Sequence, residues 1–413
     1  MQEQTGPRTS KEWVDQMLHD HYQQAREAKA QGRLVCWSTS IAPQELLTAM
    51  DIVTMYPENH AAAIGARRDT DTFLSYAERQ GYSSDLCSYA RVNLAYADLQ
   101  ESKAENMPLP DLLLCTSNIC HTVIKWYEDL SRRLGIPLLL FDTPFNHTDE
   151  VQEHNAKYME GQLYHIIDQL EEITGRKFDY DRLREVMAIS NETCDWWNKA
   201  TALAAAHPSP LDGFEIFNYM AIIVFARGTT EARDLFHLWH DELQEKIRLG
   251  QGPWKDQEER YRVLWDGIAC WPYLRYTYRA LKKLGINMVT STYPKSWTVR
   301  YETGDVRGMA RAYSANVYPN RNLHYDVENM VGLARKFDLD GIVFHSNRSC
   351  KLMDFRQYEL QRRILAECGV PSVLFEGDQT DPRVFSEAQY ETRIQALAEM
   401  MAETKAKKGR DER

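Results

Sequence analysis

Asp111-Leu-Leu-Leu-Cys-Thr-Ser-Asn-Ile-Cys120, closing on Gly135-Ile-Pro-Leu-Leu-Leu-Phe-Asp142, has a near copy far downstream. The copy runs Asp340-Gly-Ile-Val-Phe-His-Ser-Asn-Arg-Ser-Cys350 and closes on Gly369-Val-Pro-Ser-Val-Leu-Phe-Glu376. Each stretch reads as a buried strand, a Ser-Asn loop ending in Cys, a helix, then Gly-x-Pro and a second buried strand. Ligands of open parallel α/β sheets bind beyond the carboxyl ends of the strands. A thiol delivered twice to that edge is a candidate metal ligand.

The repeat extends outward from these loops. Leu34-Val-Cys-Trp37, the helical Pro43–Met50 and Asp51-Ile-Val-Thr-Met-Tyr-Pro57 form one unit. Gly267-Ile-Ala-Cys-Trp271, the helical Tyr273–Leu284 and Gly285-Ile-Asn-Met-Val-Thr-Ser-Thr-Tyr-Pro294 form its counterpart. Both show strand, Cys-Trp, helix, strand and Tyr-Pro in that order. Short apolar strands alternating with amphipathic helices predict parallel sheets covered on both faces. The fold class is therefore α/β: two Rossmann- or flavodoxin-like parallel-sheet domains from an internal duplication. Residues 1–150 hold the first, with an N-terminal helix from Ser10 to Gln31, and 260–385 the second. Between them, 151–259 form a helical bridging segment, with helical spacing over Lys157–Thr174 and Tyr180–Ala206 and a break at His207-Pro-Ser-Pro-Leu-Asp-Gly213. Residues 386–413 read as a closing helix, Glu387 to Thr404, and a solvated tail.

A chain of 413 residues is long for one core and suits two or three domains. Its formal charge of −11 argues against a nucleic-acid surface, which needs a basic patch to displace counterions, yet leaves room for a local basic pocket. The N-terminus lacks the apolar core of a signal peptide and no apolar run has the length of a membrane span. A cytoplasmic protein is expected. Eight cysteines in such a chain do not form a disulfide scaffold, and none are spaced Cys-x-x-Cys. There is no Gly-x-Gly-x-x-Gly after the first strand, no phosphate loop and no His-Glu-x-x-His. Neither ATP hydrolysis nor ordinary dinucleotide binding is expected of this chain.

Cys120 and Cys350 occupy matching loops, and a pseudo-twofold arrangement brings both to the cleft between the halves. Cys87, in Gly81-Tyr-Ser-Ser-Asp-Leu-Cys87, follows residues able to cap a helix, and a helix N-terminus favours the metal-binding thiolate. The competing reading makes all three core cysteines. Cys36, Cys115, Cys194, Cys270 and Cys368 read as packing. Three thiolates without a fourth ligand suit an iron–sulfur cluster with one open iron, or a three-sulfur zinc site, and spacing does not choose between them. Ser40 follows the first strand, where N-capping is its plain role. Glu58 follows the neighbouring strand, and a carboxylate at that edge is an acid/base candidate. His121 and His345 flank the cysteine loops as structural histidines.

Together Trp37-Ser-Thr-Ser-Ile-Ala-Pro-Gln-Glu45, Tyr56-Pro-Glu-Asn-His60, Gly81–Cys87, Asn118-Ile-Cys-His-Thr-Val-Ile-Lys-Trp-Tyr-Glu128 and His345-Ser-Asn-Arg-Ser-Cys-Lys351 resemble the 2-hydroxyacyl-CoA dehydratases. The likeness is to the α subunit of their substrate-binding component and covers most of the chain. It implies a [4Fe–4S] cluster with one iron not ligated by protein, held at the matching positions by Cys87, Cys120 and Cys350. It also implies Ser40 and Glu58 beside the substrate, a β subunit of similar fold, and a separate ATP-dependent iron–sulfur activator protein that injects an electron. The implied reaction removes water from an (R)-2-hydroxyacyl-CoA to give a 2-enoyl-CoA through a ketyl radical, in anaerobic amino-acid fermentation.

The chemistry accounts for such parts. The C3 hydrogen of a saturated thioester is scarcely acidic, and one added electron both expels the 2-hydroxyl and acidifies C3–H. Proton transfer is the role expected of Glu58, and a hydrogen bond to substrate that of Ser40. The related benzoyl-CoA reductases share the driven-electron logic and the Pro57-Glu-Asn-His60 motif, so ATP-dependent ring reduction is the neighbouring reading. A zinc-holding or apo α/β binding protein is the reading from another class.

Overall fold

The computed structural model describes residues 9–411, so the N-terminal stretch read above for a signal sequence lies largely outside the described residues. The described residues hold eight strands: β1 (Val35–Ser38), β2 (Val53–Met55), β3 (Leu112–Thr116), β4 (Leu138–Phe141), β5 (Tyr261–Asp266), β6 (Ile286–Ser291), β7 (Gly341–Asn347) and β8 (Ser372–Gly377). They form two parallel four-stranded sheets, ordered β2-β1-β3-β4 and β6-β5-β7-β8. The second order is the first repeated, which is the duplication expected from the sequence. β1, β3 and most of β5 and β7 are buried, because helices cover both faces of a parallel sheet.

The signature stretches fold alike. β3 leads to Cys120 and the helix His121–Leu134; β7 leads to Cys350 and the helix Lys351–Cys368. Gly135 and Gly369 end those helices at φ 65° and 66°, a left-handed conformation that costs only glycine nothing. Pro137 and Pro371 then forbid further helix and deliver the chain to β4 and β8.

The segment between the halves is helical: Glu153–Thr174, Tyr180–Ala202, Gly213–Phe225 and Thr230–Arg248. The long helices at its start end near where the sequence predicts, except that Tyr180–Ala202 passes into a short 3-10 turn at Leu203–Ala205. The N-terminal helix spans Ser10–Ala30 behind a Thr9–Glu12 capping box. Two local expectations need correction. The tail does not leave the closing helix at Thr404: Glu387–Asp411 is continuous, since Lys405, Lys407 and Lys408 are good helix formers and only Gly409 opposes them. The helix after Cys270 starts at Leu274, preceded by a 3-10 turn at Trp271–Tyr273 where Pro272 sits. Among the described residues no helix is long and apolar enough to cross a membrane.

The halves are pinned to each other by buried polar contacts. Trp297 Nε1 donates to the Ser40 carbonyl at 2.8 Å, Asn118 Nδ2 to the Tyr313 carbonyl at 3.0 Å, and Thr70 Oγ1 to the Thr380 carbonyl at 2.8 Å. Arg91, almost fully buried, meets Asp381 at 3.2 Å. The carboxyl edges of the two sheets thereby face a common cleft.

Candidate functional site at the cleft between the sheets

Cys87, Cys120 and Cys350 are each the residue that opens a helix: Ser88–Leu99, His121–Leu134 and Lys351–Cys368. None caps its helix through a side-chain hydrogen bond, so the first-turn N–H groups of each helix lie beside its own thiol. Three positive helix ends thus point at one place, a setting that favours negative charge. The thiols are near enough to feel one another. Burial, then the neighbouring Cys87 and Cys120, push the Cys350 thiol far up. Burial raises Cys87 to about 12, with Cys120 and Asp378 adding to it and the amides of Ala90 and Tyr89 opposing. Cys120 rises by burial against the amides of Val123 and Thr122. All three are neutral thiols unless a metal cation displaces the protons. Among the described residues, no three His, Cys, Asp or Glu side chains stand close enough to hold a single metal ion.

The two loops from opposite halves are braced by Asp378, which follows β8. Its carboxylate accepts from Ser88 Oγ at 2.5 Å, the Ser349 amide at 3.2 Å, and the Thr380 and Asp381 amides at 3.0 and 2.9 Å. Gln379 Nε2 donates to Cys87 Sγ at 3.1 Å. Residues adjacent to Cys87 and Cys350 therefore hang on one carboxylate.

Ser40 and Glu58 meet as neighbouring strands require. β1 pairs with β2, so residues just beyond Ser38 and Met55 share an edge. The Ser40 amide donates to Glu58 Oε1 at 3.0 Å, and Oε2 has no partner. Pro57 begins the helix Pro57–Ala66 and places Glu58 in its first turn. Burial overrides that helix end and the Ser40 hydrogen bond, raising Glu58 to about 7. Glu58 is 8% exposed and its charge reaches Cys120, Tyr293 and Tyr89. Ser40 does not cap the next helix, contrary to its plain role; Pro43 opens that helix without a side-chain bond.

The remaining residues fall apart from this cleft or support it. His121 is exposed, whereas His345 is fully buried, with Nδ1 2.6 Å from the Ile268 carbonyl. Cys36, Cys115, Cys194 and Cys270 are buried in the packing and Cys368 is half-buried. Sequence reading passed over Tyr89, Tyr293, Trp271, Asp378 and Gln379. Trp271 Nε1 donates to Tyr89 OH at 2.5 Å, and Tyr293 packs on Trp297 with ring centroids 4.8 Å apart. A signal for Tyr293 existed, since Tyr293-Pro294 copies the Tyr56-Pro57 that precedes Glu58. Beside the Glu58 helix lies a cavity of about 520 Å³ walled by Ala62, Ala63, Phe217, Phe225 and Trp271.

Comparison with known proteins places the chain in a family. The family model described as 2-hydroxyglutaryl-CoA dehydratase, D-component, matches residues 39–401. The (R)-2-hydroxyisocaproyl-CoA dehydratase alpha subunit of Clostridioides difficile is 46% identical, across 95% of this chain and 96% of its own. The lactoyl-CoA dehydratase alpha subunit of Anaerotignum propionicum is 44% identical, over 92% and 93%. A benzoyl-CoA reductase subunit from Thauera aromatica is more distant, 28% identical over 94% and 93%. With the family model matching most of its length and relatives of 44–46% identity covering over nine-tenths of it, the chain belongs to the 2-hydroxyglutaryl-CoA dehydratase D-component family.

Proposed function

We propose that this chain is the substrate-carrying α subunit of a 2-hydroxyacyl-CoA dehydratase, with a [4Fe–4S] cluster on Cys87, Cys120 and Cys350. One observation carries the reading: three thiols from distant segments open three helices onto one cleft, beside a buried carboxylate. The donor set fits such a group. Three thiolates with no fourth protein ligand are also a possible zinc donor set, each sulfur then about 2.3 Å from the one ion. A polynuclear cluster spreads its ligand sulfurs further apart and leaves one iron free when only three are supplied. When bound, it would supply a Lewis-acidic iron and a low-potential electron relay.

The chain's own residues bind, orient and move the proton. The Ser40 amide fixes one Glu58 oxygen, leaving Oε2 to face a substrate. A carboxyl held near neutrality is suited to take up a proton and return it. Tyr89, Tyr293 and Trp271 pack in one apolar cluster with Cys87, Cys120 and Cys350, surroundings suited to keeping water away. The greater identity to dehydratase α subunits than to the reductase chain favours elimination over ring reduction. A β subunit of similar fold and an ATP-dependent activator complete the proposed system.

The test is anaerobic purification followed by assay of a panel of 2-hydroxyacyl-CoA esters with activator, ATP and a strong reductant. About four irons per chain, broad visible absorption and formation of the 2-enoyl-CoA are expected. A colourless protein carrying one zinc, or none, would defeat the proposal.

A further inference from the structure

A line of amides joins Cys87 to the loop that ends in Cys350. Gln379 lies just past β8, beside Asp378, and its Nε2 donates to Cys87 Sγ at 3.1 Å. Its Oε1 accepts in turn from Nδ2 of Asn347, the last residue of β7. Both side chains are buried. Backbone bonds hold the main chain here: the Trp271 amide donates to the Gln379 carbonyl at 3.1 Å, and the Arg348 amide to the Gly377 carbonyl at 2.9 Å.

The orientation of that amide has a chemical reason. A side-chain amide offers an acceptor at one end and donors at the other, and a thiolate without its proton only accepts. With Asn347 holding Oε1, the donor end of Gln379 faces the sulfur. Cys87, Cys120 and Cys350 all pack on one buried apolar cluster, and a hydrogen bond is electrostatically stronger in such low-dielectric surroundings than in water.

The duplication provides an internal comparison. The matched returns Gly135–Asp142 and Gly369–Glu376, continued by three residues, set Pro144 against Asp378 and Phe145 against Gln379. Phe145 is 44% exposed and its ring has no N–H to give. Asn118, the counterpart of Asn347, donates to the Tyr313 carbonyl at 3.0 Å instead. The half that brings Cys350 therefore aims a donor at Cys87, where the half that brings Cys120 carries a phenyl ring.

We propose that Gln379, oriented by Asn347, is a positioning residue that sets the reduction potential of the cluster on Cys87, Cys120 and Cys350. The inference rests on the cluster reading above. An N–H directed at a ligand sulfur stabilises the more negative, reduced cluster more than the oxidised one, and so raises the potential. No bond at Gln379 changes in the one-electron reduction: the electron comes from the reductant and the amide keeps its protons.

Anaerobic redox titration of the complete enzyme, read by visible absorption beside iron analysis, tests it. Gln379→Met keeps the length of the side chain and loses the donor, whereas Asn347→Leu leaves the donor unheld. In Gln379→Met the reduced-to-oxidised ratio at a fixed potential should fall about ten-fold, a midpoint lower by about 59 mV for one electron, with iron as in wild type. Asn347→Leu should move the midpoint the same way by less. Wild-type midpoints in both variants would overturn the tuning role and leave the cluster reading intact. Loss of iron from Gln379→Met would also overturn it, making Gln379 a brace of the site. Wild-type protein without iron would overturn the cluster reading as well.

Discussion

The backbone N–H of Ser88 donates to Ser349 Oγ at 3.1 Å, joining the residue after Cys87 to the residue before Cys350. Two thiols from opposite halves of a duplicated chain are thereby set by one hydrogen bond and by their shared carboxylate, Asp378. The arrangement bears on the proposed cluster, because a group ligated at three points depends on its loops holding still.

Replacing Cys87, Cys120 or Cys350 singly with Ser should deplete iron and abolish turnover. The replacement is small and each site is a helix start, so folding should survive. Iron analysis with circular dichroism reads both at once, and full iron in any variant removes that cysteine from the ligand set.

Asp378→Asn should loosen the bracket without touching any of the three cysteines. Its amide nitrogen cannot accept, so the Ser88 hydroxyl or the Ser349 amide loses its acceptor. Outer-shell changes of this kind cost about ten- to a hundred-fold in metal affinity. The rate of iron loss to a chelator should rise accordingly, and an unchanged rate would show that Asp378 does not brace the site.

Glu58→Gln should keep the iron and cut turnover. It should also alter stability in a pH-dependent way. The folded Glu58 is raised to about 7, so between its ordinary range and pH 7 the folded state holds the proton more tightly than the unfolded chain. Its contribution is intact at pH 4 and is lost as pH rises through 7. The neutral Gln escapes that loss, so its thermal midpoint should gain on wild type as pH rises from 4 to 8. The gain at pH 8 is set by the rise of Glu58 from its ordinary 4.5 to about 7, and should be at most about 3 kcal/mol. A variant that is fully active, or equally stable at pH 8, would remove Glu58 from its assigned place.

Glu45→Ala should destabilise the whole fold. Glu45 and Arg227 are fully buried at 3.2 Å, and Glu45 also accepts from Tyr301 at 2.8 Å and Tyr313 at 2.6 Å. Arg227 in turn reaches the Ala42 carbonyl at 3.3 Å, near Ser40. Breaking such a pair leaves an uncompensated charge and costs about 3–5 kcal/mol. Denaturant unfolding measures this directly; a loss below about 1 kcal/mol would mean the network relaxes around the gap.

The sequence alone carried the duplication, the parallel sheets and the edge on which Ser40, Glu58, Cys120 and Cys350 stand. Those follow from local pattern: buried strands, helix starts, Gly-x-Pro returns, and pairing between successive strands. It also offered Cys87 as a helix-start thiol. What it could not supply was convergence. Tyr293 stands near enough to feel the charge of Glu58, and Asp378 joins Ser88 to Ser349, only because the two sheets turn their carboxyl edges towards each other. Contacts between residues hundreds of positions apart leave no periodicity in a single chain, since they are fixed by how the halves pack and not by any local preference.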